Sequence, residues 1–464
     1  MSSSADLASG SEFAALLARQ RAFFASGSTR PAEFRERQLD LLRATLQRFE
    51  PAMLDAVQAD LGREAREAWL GEILLVVREV ELARRQLRRW MRAERRGVPW
   101  IAWPGRAEVR REPFGVAGIL GPWNYPFYLT LSPLVGALAA GNCAVVKVSE
   151  FAPHCAEVMA RMAAETFSPE YVTVVQGDRT VGERLLGERF DCLFFTGGTE
   201  TGRQVMAAAA RHLTPVTLEL GGKSPCIVAA DADIAVAARR IVWGKFLNAG
   251  QTCVAPDYVL VDRTVAPALI EAMRVAVADL YPAGCGRIVH RRHFDRLVAL
   301  LVSGRCVCGG GYDAAQLTIA PTILTEVSPQ APVMQAEIFG PILPVLPVAD
   351  LEEAIREVRS RPSPLALYLF TRDRTIQRRV REETASGGLA VNDVVLHLLA
   401  SELPFGGVGA SGLGTYHGRA SFAAFTQQRS VLYRPTRPDF GLRYLRGGVP
   451  GPALRCLYQW LLRD

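Results

Sequence analysis

The chain has 464 residues, of which 49% are hydrophobic and 22% are charged. This composition excludes a disordered, collagen-like or coiled-coil protein and supplies apolar residues for about three domains. No run of about 18 uninterrupted apolar residues occurs, and the N-terminus lacks the basic start and apolar run of a secretory signal. The net charge of +7 comes from basic residues spread along the chain, so no nucleic-acid partner is expected.

Nine cysteines are scattered along the chain, and their only close pair is Cys306 and Cys308. A zinc site of paired cysteines needs a second pair, so no metal site is predicted. Dispersed cysteines in odd number are typical of reduced, buried thiols, which favours an intracellular, cytoplasmic protein.

Lysine and asparagine are rare in this chain. Of its 54 basic residues, the lysines are Lys147, Lys223 and Lys245, and the asparagines are Asn124, Asn142, Asn248 and Asn392. Lysine is a compact charge on a flexible stem, whereas arginine is a wide planar fork. Asparagine combines a neutral donor with an acceptor. A general bias toward arginine therefore makes these seven positions candidates for function.

Helical patterns fill residues 11–95. One helix is predicted to start at Pro31, and a long amphipathic pattern runs from Glu64 to Arg92. Residues 98–113 differ, because two short aromatic or alternating runs flank Pro104 and Gly105 and predict a hairpin or arm.

From residue 114 onward, short apolar runs alternate with helical patterns, which is typical of βαβ units around a parallel sheet. The runs cover residues 115–120, 143–148, 171–176, 191–196, 216–220 and 225–229, and a second series begins at 258–262. The pattern predicts two α/β lobes that meet near Gly221 and Gly222.

A glycine-rich segment, residues 194–203, ends a predicted strand and opens a helix. Gly197, Gly198 and Gly202 would let backbone amides approach a phosphate at the helix N-terminus. The segment is not the GxGxxG fingerprint, and a plain glycine-rich turn is the alternative.

Three other residues are candidates for chemistry. Cys253 lies in a turn of small and polar residues; it is either a core thiol or a nucleophile, which needs partial exposure and a pKa below about 8.5. Glu219 ends an apolar strand. It is either a salt-bridged residue at the strand end or a general base whose pKa is raised by burial. Asn124 lies between Pro122 and Pro126, either as a turn residue or as an oxyanion donor.

Together these segments resemble the NAD(P)-dependent aldehyde dehydrogenase superfamily over roughly residues 10–435. The resemblance is carried by GPWNYP, KVSE, FFTGGTETG, LELGGKSP, GQTCVAPDYV, EIFGP and PFGGVGASGLGTYHG, in family order. Glu219 and Cys253 are 34 residues apart, the family's spacing of base and nucleophile. NDVVLHLLASELPFGG and the final YHG are most similar to the class 3 branch, which includes fatty and aromatic aldehyde dehydrogenases.

The resemblance implies an α/β fold with a Rossmann-like cofactor domain, an α/β catalytic domain and a small β oligomerisation arm. The implied boundaries are residues 1–97 and 114–220 for the cofactor domain and 221–412 for the catalytic domain. Residues 98–113 with 413–440 would form the arm of a homodimer, and residues 441–464 an amphipathic tail. Arginines, glycines and prolines leave this tail no membrane span. We expect it to cap the substrate entrance or a subunit boundary, with weak membrane-surface contact at most.

The resemblance also assigns roles to residues. Cys253 would attack the aldehyde to give a thiohemiacetal, and Asn124 and the Cys253 amide would stabilise its oxyanion. Loss of a hydride would leave a thioester. A water molecule activated by Glu219 would then hydrolyse this thioester. Lys147 and Glu150 would contact the adenosine ribose. The other implied cofactor-binding residues are Trp123, Gly197, Thr199, Gly202, Glu337 and Phe339.

Four positions depart from the family pattern: Val148, Gly198, Cys285 and His290. Gly198 replaces a serine or asparagine, so a pyrophosphate hydrogen bond would be lost. Glu150 would repel a 2′-phosphate, which favours NAD, although class 3 relatives often accept NADP as well. The predicted substrate is a medium- or long-chain aliphatic or an aromatic aldehyde. Transfer of the thioester to coenzyme A and a non-catalytic binding protein are the alternatives.

Overall fold

The computed structural model describes residues 10–99, 102–439 and 451–461. Its helices are α1 (Gly10–Ala25), α2 (Ala32–Leu61), α3 (Ala65–Ala68), α4 (Leu74–Trp90), α5 (Tyr128–Ala140), α6 (Pro153–Thr166), α7 (Arg179–Gly187), α8 (Thr199–Ala210), α9 (Ile234–Phe246), α10 (Ala266–Leu280), α11 (Arg291–Leu300), α12 (Pro332–Gln335), α13 (Leu351–Arg359), α14 (Arg374–Glu383), α15 (Arg419–Ala424) and α16 (Pro452–Leu461). Within these described ranges, no helix is long and apolar enough to cross a bilayer.

The strands form three main sheets and one two-stranded ribbon. They are β1 (Glu94–Arg96), β2 (Arg106–Pro113), β3 (Val116–Leu120), β4 (Cys143–Lys147), β5 (Val172–Val175), β6 (Cys192–Thr196), β7 (Val216–Glu219), β8 (Pro225–Val228), β9 (Tyr258–Asp262), β10 (Arg305–Cys308), β11 (Tyr312–Asp313), β12 (Thr318–Ile319), β13 (Thr322–Thr325), β14 (Ile342–Val348), β15 (Ala366–Phe370), β16 (Gly388–Val391), β17 (Gly412–Leu413) and β18 (Thr426–Tyr433).

The first sheet has the order β17-β7-β6-β3-β4-β5, and all its neighbours are parallel except β17. Every residue of β3, β4 and β6 is buried, as expected where helices cover both faces of a parallel sheet. Helices α5 to α8 follow β3 to β6 in turn, so the predicted βαβ rhythm is confirmed.

The second sheet has the order β10-β13-β14-β9-β8-β15-β16 and is parallel except at β10. The chain crosses from the first sheet to the second between Glu219 and Pro225, around Gly221 and Gly222. A Cβ at Gly221 would lie 2.0 Å from a Glu337 carboxylate oxygen, so a side chain here would displace that carboxylate. The carboxyl ends of strands of the first sheet and the amino ends of strands of the second sheet therefore lie near this crossing.

The third sheet has the order β1-β2-β18, and β18 pairs with β2 along its whole length. β1 and β2 form an antiparallel hairpin, but its first strand ends at Arg96, before the predicted range of residues 98–113 begins. Pro99 and Pro104 lack the N–H that a ladder needs, and the charged residues Glu94–Arg96 form the first strand instead. In the 413–440 segment, β18 joins this sheet, whereas Leu413 pairs with β7 and α15 packs on α5.

The amphipathic pattern from Glu64 to Arg92 is not one continuous α-helix. A π-helical turn at Trp69–Ile73 separates α3 from α4. Within it, the buried Glu72 carboxylate accepts Arg63 Nη1 at 2.7 Å and the Tyr128 amide at 2.9 Å, so it joins α4 to the start of α5. At the other end of the chain, the predicted tail is described at residues 451–461, and its remaining residues lie outside the described ranges.

Candidate active site

Cys253 lies in the segment between α9 and β9. It is partly exposed and lines a cleft of about 1230 Å³. Its neighbour Thr252 shares a 2.8 Å hydrogen bond with the Tyr125 hydroxyl, on the segment that leads into α5. The cysteine is therefore accessible from a cavity while its flanking residue is held from the opposite wall.

An unusual backbone turn presents Cys253 to this cleft. Asn248 and Ala249 have φ values of 51° and 54° in the left-handed region, and Gly250 follows at 72°. A Cβ at Gly250 would overlap the Gly340 carbonyl, which requires glycine there. The Gln251 side chain donates to the Asn248 and Arg287 carbonyls, each at 3.0 Å, and fixes the turn.

Asn124 is buried and joined directly to the Cys253 segment. Its side-chain Nδ2 donates to the backbone carbonyl of Gln251 at 3.0 Å. Its backbone carbonyl accepts a hydrogen bond from Asn248 Nδ2 at 2.8 Å. An asparagine amide has two N–H groups, so the bond to Gln251 leaves one for another acceptor. The structure thus brings two of the rare asparagines together beside Cys253.

Glu219 ends β7 with its side chain buried. Neither carboxylate oxygen has a hydrogen-bond partner in the part of the chain that the structure describes. Burial raises the pKa of this carboxyl well above its ordinary value, because the ionised form loses its hydration. A buried carboxyl without partners has the environment of a general base that works near neutral pH.

The Glu219 carboxylate is close enough to the Cys253 thiol to affect its pKa electrostatically. Burial, followed by the nearby carboxylates of Glu337 and Glu219, raises the pKa of the thiol to about 12. The sequence-based expectation for a nucleophilic cysteine is a pKa below about 8.5. The surroundings of Cys253 in this chain raise the pKa instead of lowering it. A thiol with a raised pKa has to give up its proton before it can act as a nucleophile.

Lys147 is the last residue of β4 in the first sheet, and Glu150 lies three residues after it. Lys147 is buried, and its Nζ bonds to Glu150 Oε2 at 3.0 Å. The partly exposed Glu150 keeps its other oxygen free of a described partner. This pair is a compact donor and acceptor at the carboxyl edge of the sheet, where open α/β sheets bind their ligands.

The glycine-rich segment opens α8 as predicted. Gly198 is the residue before the first turn of α8. No side-chain hydrogen bond caps this helix in the described structure, so the backbone N–H groups of its first turn remain available as donors. Thr199 donates its hydroxyl to the Ala410 carbonyl at 3.0 Å. A Cβ at Gly202 would lie 2.5 Å from Leu220 Cδ2, so this glycine allows α8 to pack closely on the sheet.

Glu337, Phe339 and Trp123 lie where the two sheets meet. The Phe339 and Trp123 rings pack edge to face with centroids 5.4 Å apart. Phe339 has a φ of 53°, and its carbonyl accepts His293 Nε2 at 2.8 Å. Burial, followed by repulsion from Asp257, raises the pKa of Glu337 to about 8.

The departures from the family pattern have different environments. A Cβ at Gly198 would meet open space, so the backbone there does not require glycine. Cys285 is buried in the cleft wall. His290 Nδ1 accepts the His293 amide at the start of α11, which links this region to Phe339 through His293.

Several residues of the site were missed by sequence reasoning. Gln251 and Asp257 had only their place in the GQTCVAPDYV motif, because their roles depend on groups that are distant in sequence. His417, whose Nε2 lies 2.8 Å from the Tyr128 hydroxyl at the cleft wall, had only its place in the YHG motif. Asn248 and Lys223 were distinguished only by their rarity.

Comparisons with known proteins agree with this arrangement. A model of the aldehyde dehydrogenase family matches residues 3–431. Aldehyde dehydrogenase family 3 member A2 of Mus musculus is 44% identical over 422 residues, covering 90% of this chain and 87% of that protein. The dimeric NADP-preferring aldehyde dehydrogenase of Canis lupus familiaris is 42% identical over 439 residues, covering 93% and 97%.

A solved structure is similar over almost the whole fold. The substrate-bound state of Staphylococcus aureus AldH has a TM-score of 0.92 and 40% sequence identity, covering 96% of this chain and 98% of that chain. The residues matched by the family model, 3–431, include the segments that carry Cys253, Glu219 and Asn124. The chain therefore belongs to the aldehyde dehydrogenase family, in its class 3 branch, and is an enzyme that oxidises aldehydes to carboxylic acids with NAD(P).

Proposed function

We propose that Cys253 is the nucleophile of this oxidation, Asn124 its oxyanion donor and Glu219 its base. The observation that carries the proposal is the buried Glu219 carboxylate, which has no described hydrogen-bond partner and acts electrostatically on the Cys253 thiol. The hydrogen bond from Asn124 to Gln251 holds the third member beside them.

The reaction begins when the Cys253 thiol gives its proton to solvent in the open cleft and its sulfur attacks the carbonyl carbon, which gives a thiohemiacetal. Its oxyanion accepts the remaining Asn124 N–H and the Cys253 amide. When bound, the oxidised nicotinamide supplies a hydride acceptor, and loss of the hydride turns the thiohemiacetal into a thioester. Glu219 then takes a proton from water, which attacks the thioester and releases the carboxylic acid and the thiol.

The carboxyl edge of the first sheet fits a dinucleotide. The uncapped amides at the start of α8 suit a pyrophosphate, and the neighbouring Gly197 and Gly198 carry no side chain to block it. Lys147 and Glu150 would hold the adenosine ribose and Glu337 the nicotinamide ribose. Phe339 would support the nicotinamide ring, and the remaining contacts are assigned to Trp123, Thr199 and Gly202.

We favour NAD over NADP for this enzyme. The Glu150 carboxylate has one oxygen engaged by Lys147 and another available to ribose hydroxyls. The same negative charge would repel a 2′-phosphate. The NADP-preferring relative shows that the family also contains the other preference.

Lys147→Arg should raise the Kd for NAD about tenfold while leaving the KM for the aldehyde within about twofold. The lysine is buried against Glu150, and a planar guanidinium would displace the carboxylate that the ribose needs. Fluorescence titration of NAD, together with initial rates, measures both constants. An unchanged Kd would mean that this lysine is retained by chance.

The cleft favours a large apolar aldehyde. Its volume of about 1230 Å³ exceeds what a two- or three-carbon aldehyde needs. Aromatic and aliphatic side chains line the same cleft as Cys253, among them Tyr125, Tyr128, Leu129, Trp243, Phe405 and Tyr416. We therefore propose medium- or long-chain aliphatic and aromatic aldehydes as substrates.

Initial rates with aliphatic and aromatic aldehydes, each with NAD and with NADP, test this proposal. We expect NADH formation without coenzyme A, a free carboxylic acid as product, and kcat/KM that rises with chain length. Formation of an acyl-coenzyme A would support the acyl-transferring alternative. Dinucleotide binding without turnover of any aldehyde would support a non-catalytic protein.

We propose that the third sheet joins two subunits into a homodimer. β18 is an edge strand, and Leu432 on it is 57% exposed, as expected of a strand that pairs with a partner. Sedimentation velocity should give a dimer at micromolar concentration, and Leu432→Asp should shift it to monomer. Leu213→Asp, at a site 91% exposed on the first lobe, should remain dimeric. A monomeric parent enzyme would refute the dimer.

We also propose a cytoplasmic location. All nine cysteines have free thiols in the structure. Free thiols persist where glutathione and thioredoxin keep them reduced, which is the condition of the cytoplasm.

A further inference from the structure

Arg63 is a buried cation that the proposed mechanism does not use. It lies between α2 and α3. Its Nη1 donates to Glu72 Oε1 at 2.7 Å, and its Nε donates to Glu67 Oε1 at 3.3 Å. A Cβ at Gly71 would lie 2.8 Å from its Nη2, so this glycine leaves room for the guanidinium. We call Arg63, Glu67 and Glu72 the Arg63 cluster.

Stability is a weak reason for this cluster. The side chains of Arg63 and Glu72 are each 1% exposed, so both lose their hydration when the chain folds. Desolvation of such a pair offsets most of the attraction between its charges. Arg63 Nη2 also has no hydrogen-bond partner among the described residues, which adds to the cost. The contacts of the cluster with other segments give a different reason for it.

The π-helical turn at Trp69–Ile73 brings the two carboxylates of the cluster together. Glu67 and Glu72 are five residues apart, and a regular α-helix would point such residues about 140° away from each other. The i→i+5 bonding of a π-helical turn places them nearer to one face. Both carboxylates bond to the same guanidinium as a result.

Each carboxylate of the cluster also accepts a backbone amide from a segment of the active site. Glu67 Oε1 accepts the Asn248 amide at 2.9 Å, in the turn that leads to Cys253. Glu72 Oε2 accepts the Tyr128 amide at 2.9 Å, in the segment that follows the proposed oxyanion donor. The cluster thus holds the nucleophile segment with one carboxylate and the oxyanion-donor segment with the other.

Direct contacts between these two segments complete the arrangement. Asn248 Nδ2 donates to the Asn124 carbonyl at 2.8 Å, and Asn124 Nδ2 donates to the Gln251 carbonyl at 3.0 Å. The Arg63 guanidinium lies over the Tyr125 ring, with its Cζ 4.5 Å from the ring centroid. Hydrogen bonds and short stretches of chain therefore form a closed circuit through the cluster and both segments.

We propose that Arg63 is a positioning residue that sets the spacing between the oxyanion donor and the nucleophile. Through Glu67 it fixes the turn before Cys253, and through Glu72 it fixes the segment of Asn124. An oxyanion donor stabilises the transition state only within hydrogen-bond distance of the oxygen that gains charge. A small displacement of either segment therefore slows the chemical step and leaves ground-state binding unchanged. The inference rests on the proposed roles of Asn124 and Cys253.

The test begins with Glu67→Ala, which frees the nucleophile turn and leaves the buried Arg63–Glu72 pair intact. We expect the rate of NADH formation in a single turnover, at saturating NAD and aldehyde, to fall about tenfold. The amplitude should stay near one NADH per active site, and the Kd for NAD should change less than about twofold. Stopped-flow absorbance measures the rate and the amplitude, and fluorescence titration measures the Kd. A parent rate in this variant would overturn the inference.

Glu67→Gln separates position from charge. The glutamine oxygen can still accept the Asn248 amide and Arg63 Nε, so the rate should stay within about twofold of the parent. Equal losses for the Gln and Ala variants would mean that the charge acts rather than the position, which contradicts the inference. Glu81→Ala is the matched control. It removes an α4 carboxylate that pairs with Arg43 at 2.7 Å and does not line the cleft, so it should keep the parent rate.

A double-mutant cycle with Asn124→Ala shows whether the cluster acts through the oxyanion donor. Asn124→Ala alone should lower the single-turnover rate by about a hundredfold. Glu67→Ala added to it should lower the rate by less than about twofold further, because no donor is left to misplace. A purely structural role would give the same loss in both backgrounds, or a lower amplitude at an unchanged rate, and either result would refute the inference.

The same cycle distinguishes the two proposals. If Asn124→Ala keeps the parent rate, the oxyanion role of Asn124 fails, and this inference fails with it. If Asn124→Ala slows the reaction while Glu67→Ala slows neither background or both equally, the inference alone fails. Thermal unfolding checks that each variant is folded. If Glu67→Ala does not fold, Arg63→Lys carries the same expectations, because one ammonium cannot span both carboxylates as the guanidinium does.

Discussion

Cys253→Ser should reduce the rate of aldehyde oxidation by about a thousandfold or more. A serine hydroxyl has a far higher pKa than a thiol, and the carboxylates of Glu219 and Glu337 would disfavour its alkoxide further. The Kd for NAD should change less than about twofold, because the substitution removes no proposed cofactor contact. Stopped-flow NADH formation and NAD titration measure the two effects.

Cys306→Ser is the matched control for this substitution. Cys306 is exposed and does not line the cleft, so its loss should leave kcat and both KM values at those of the parent. If the Cys253 variant kept more than a few per cent of the parent turnover, another residue would be the nucleophile.

Glu219→Gln should stop the enzyme after the first half of the reaction. Hydride loss does not need the base that activates water, so we expect a burst of about one NADH per active site. Steady-state turnover should then fall by about a hundredfold or more, because a glutamine cannot take the proton of the attacking water. Rapid-mixing absorbance and mass spectrometry of the acylated protein detect the burst and the thioester.

The pH dependence provides a second readout for Glu219. Burial raises the pKa of this carboxyl, so it is protonated and inactive as a base at low pH, and deacylation should accelerate as pH rises. The Gln variant should lose this dependence. Glu157→Gln, at an exposed position of α6, should keep both the parent rate and its pH profile. Normal turnover by the Glu219 variant would exclude this residue as the base.

The sequence by itself determined the elements of the two lobes. The apolar runs at 115–120, 143–148 and 191–196 became buried parallel strands, because their residues are apolar on both faces and helices follow them. It also identified Cys253, Glu219 and Asn124 as candidates, since a cysteine among small polar residues and a carboxylate inside an apolar run are local signals. The motifs and their order along the chain identified the aldehyde dehydrogenase family.

The tertiary structure decided what depends on contacts between distant residues. The strand at Glu94–Arg96 could not be predicted, because its charged residues have no strand pattern and form a ladder only where β2 lies beside them. Likewise, the Gln251 side chain fixes the turn before Cys253 by donating to the Arg287 carbonyl, and burial rather than residue type raises the Cys253 pKa. Lys245 shows the same division. Its rarity is visible in the sequence, but only the packing reveals that it is fully buried and that its Nζ has no hydrogen-bond partner among the described residues, because burial is a property of the folded chain.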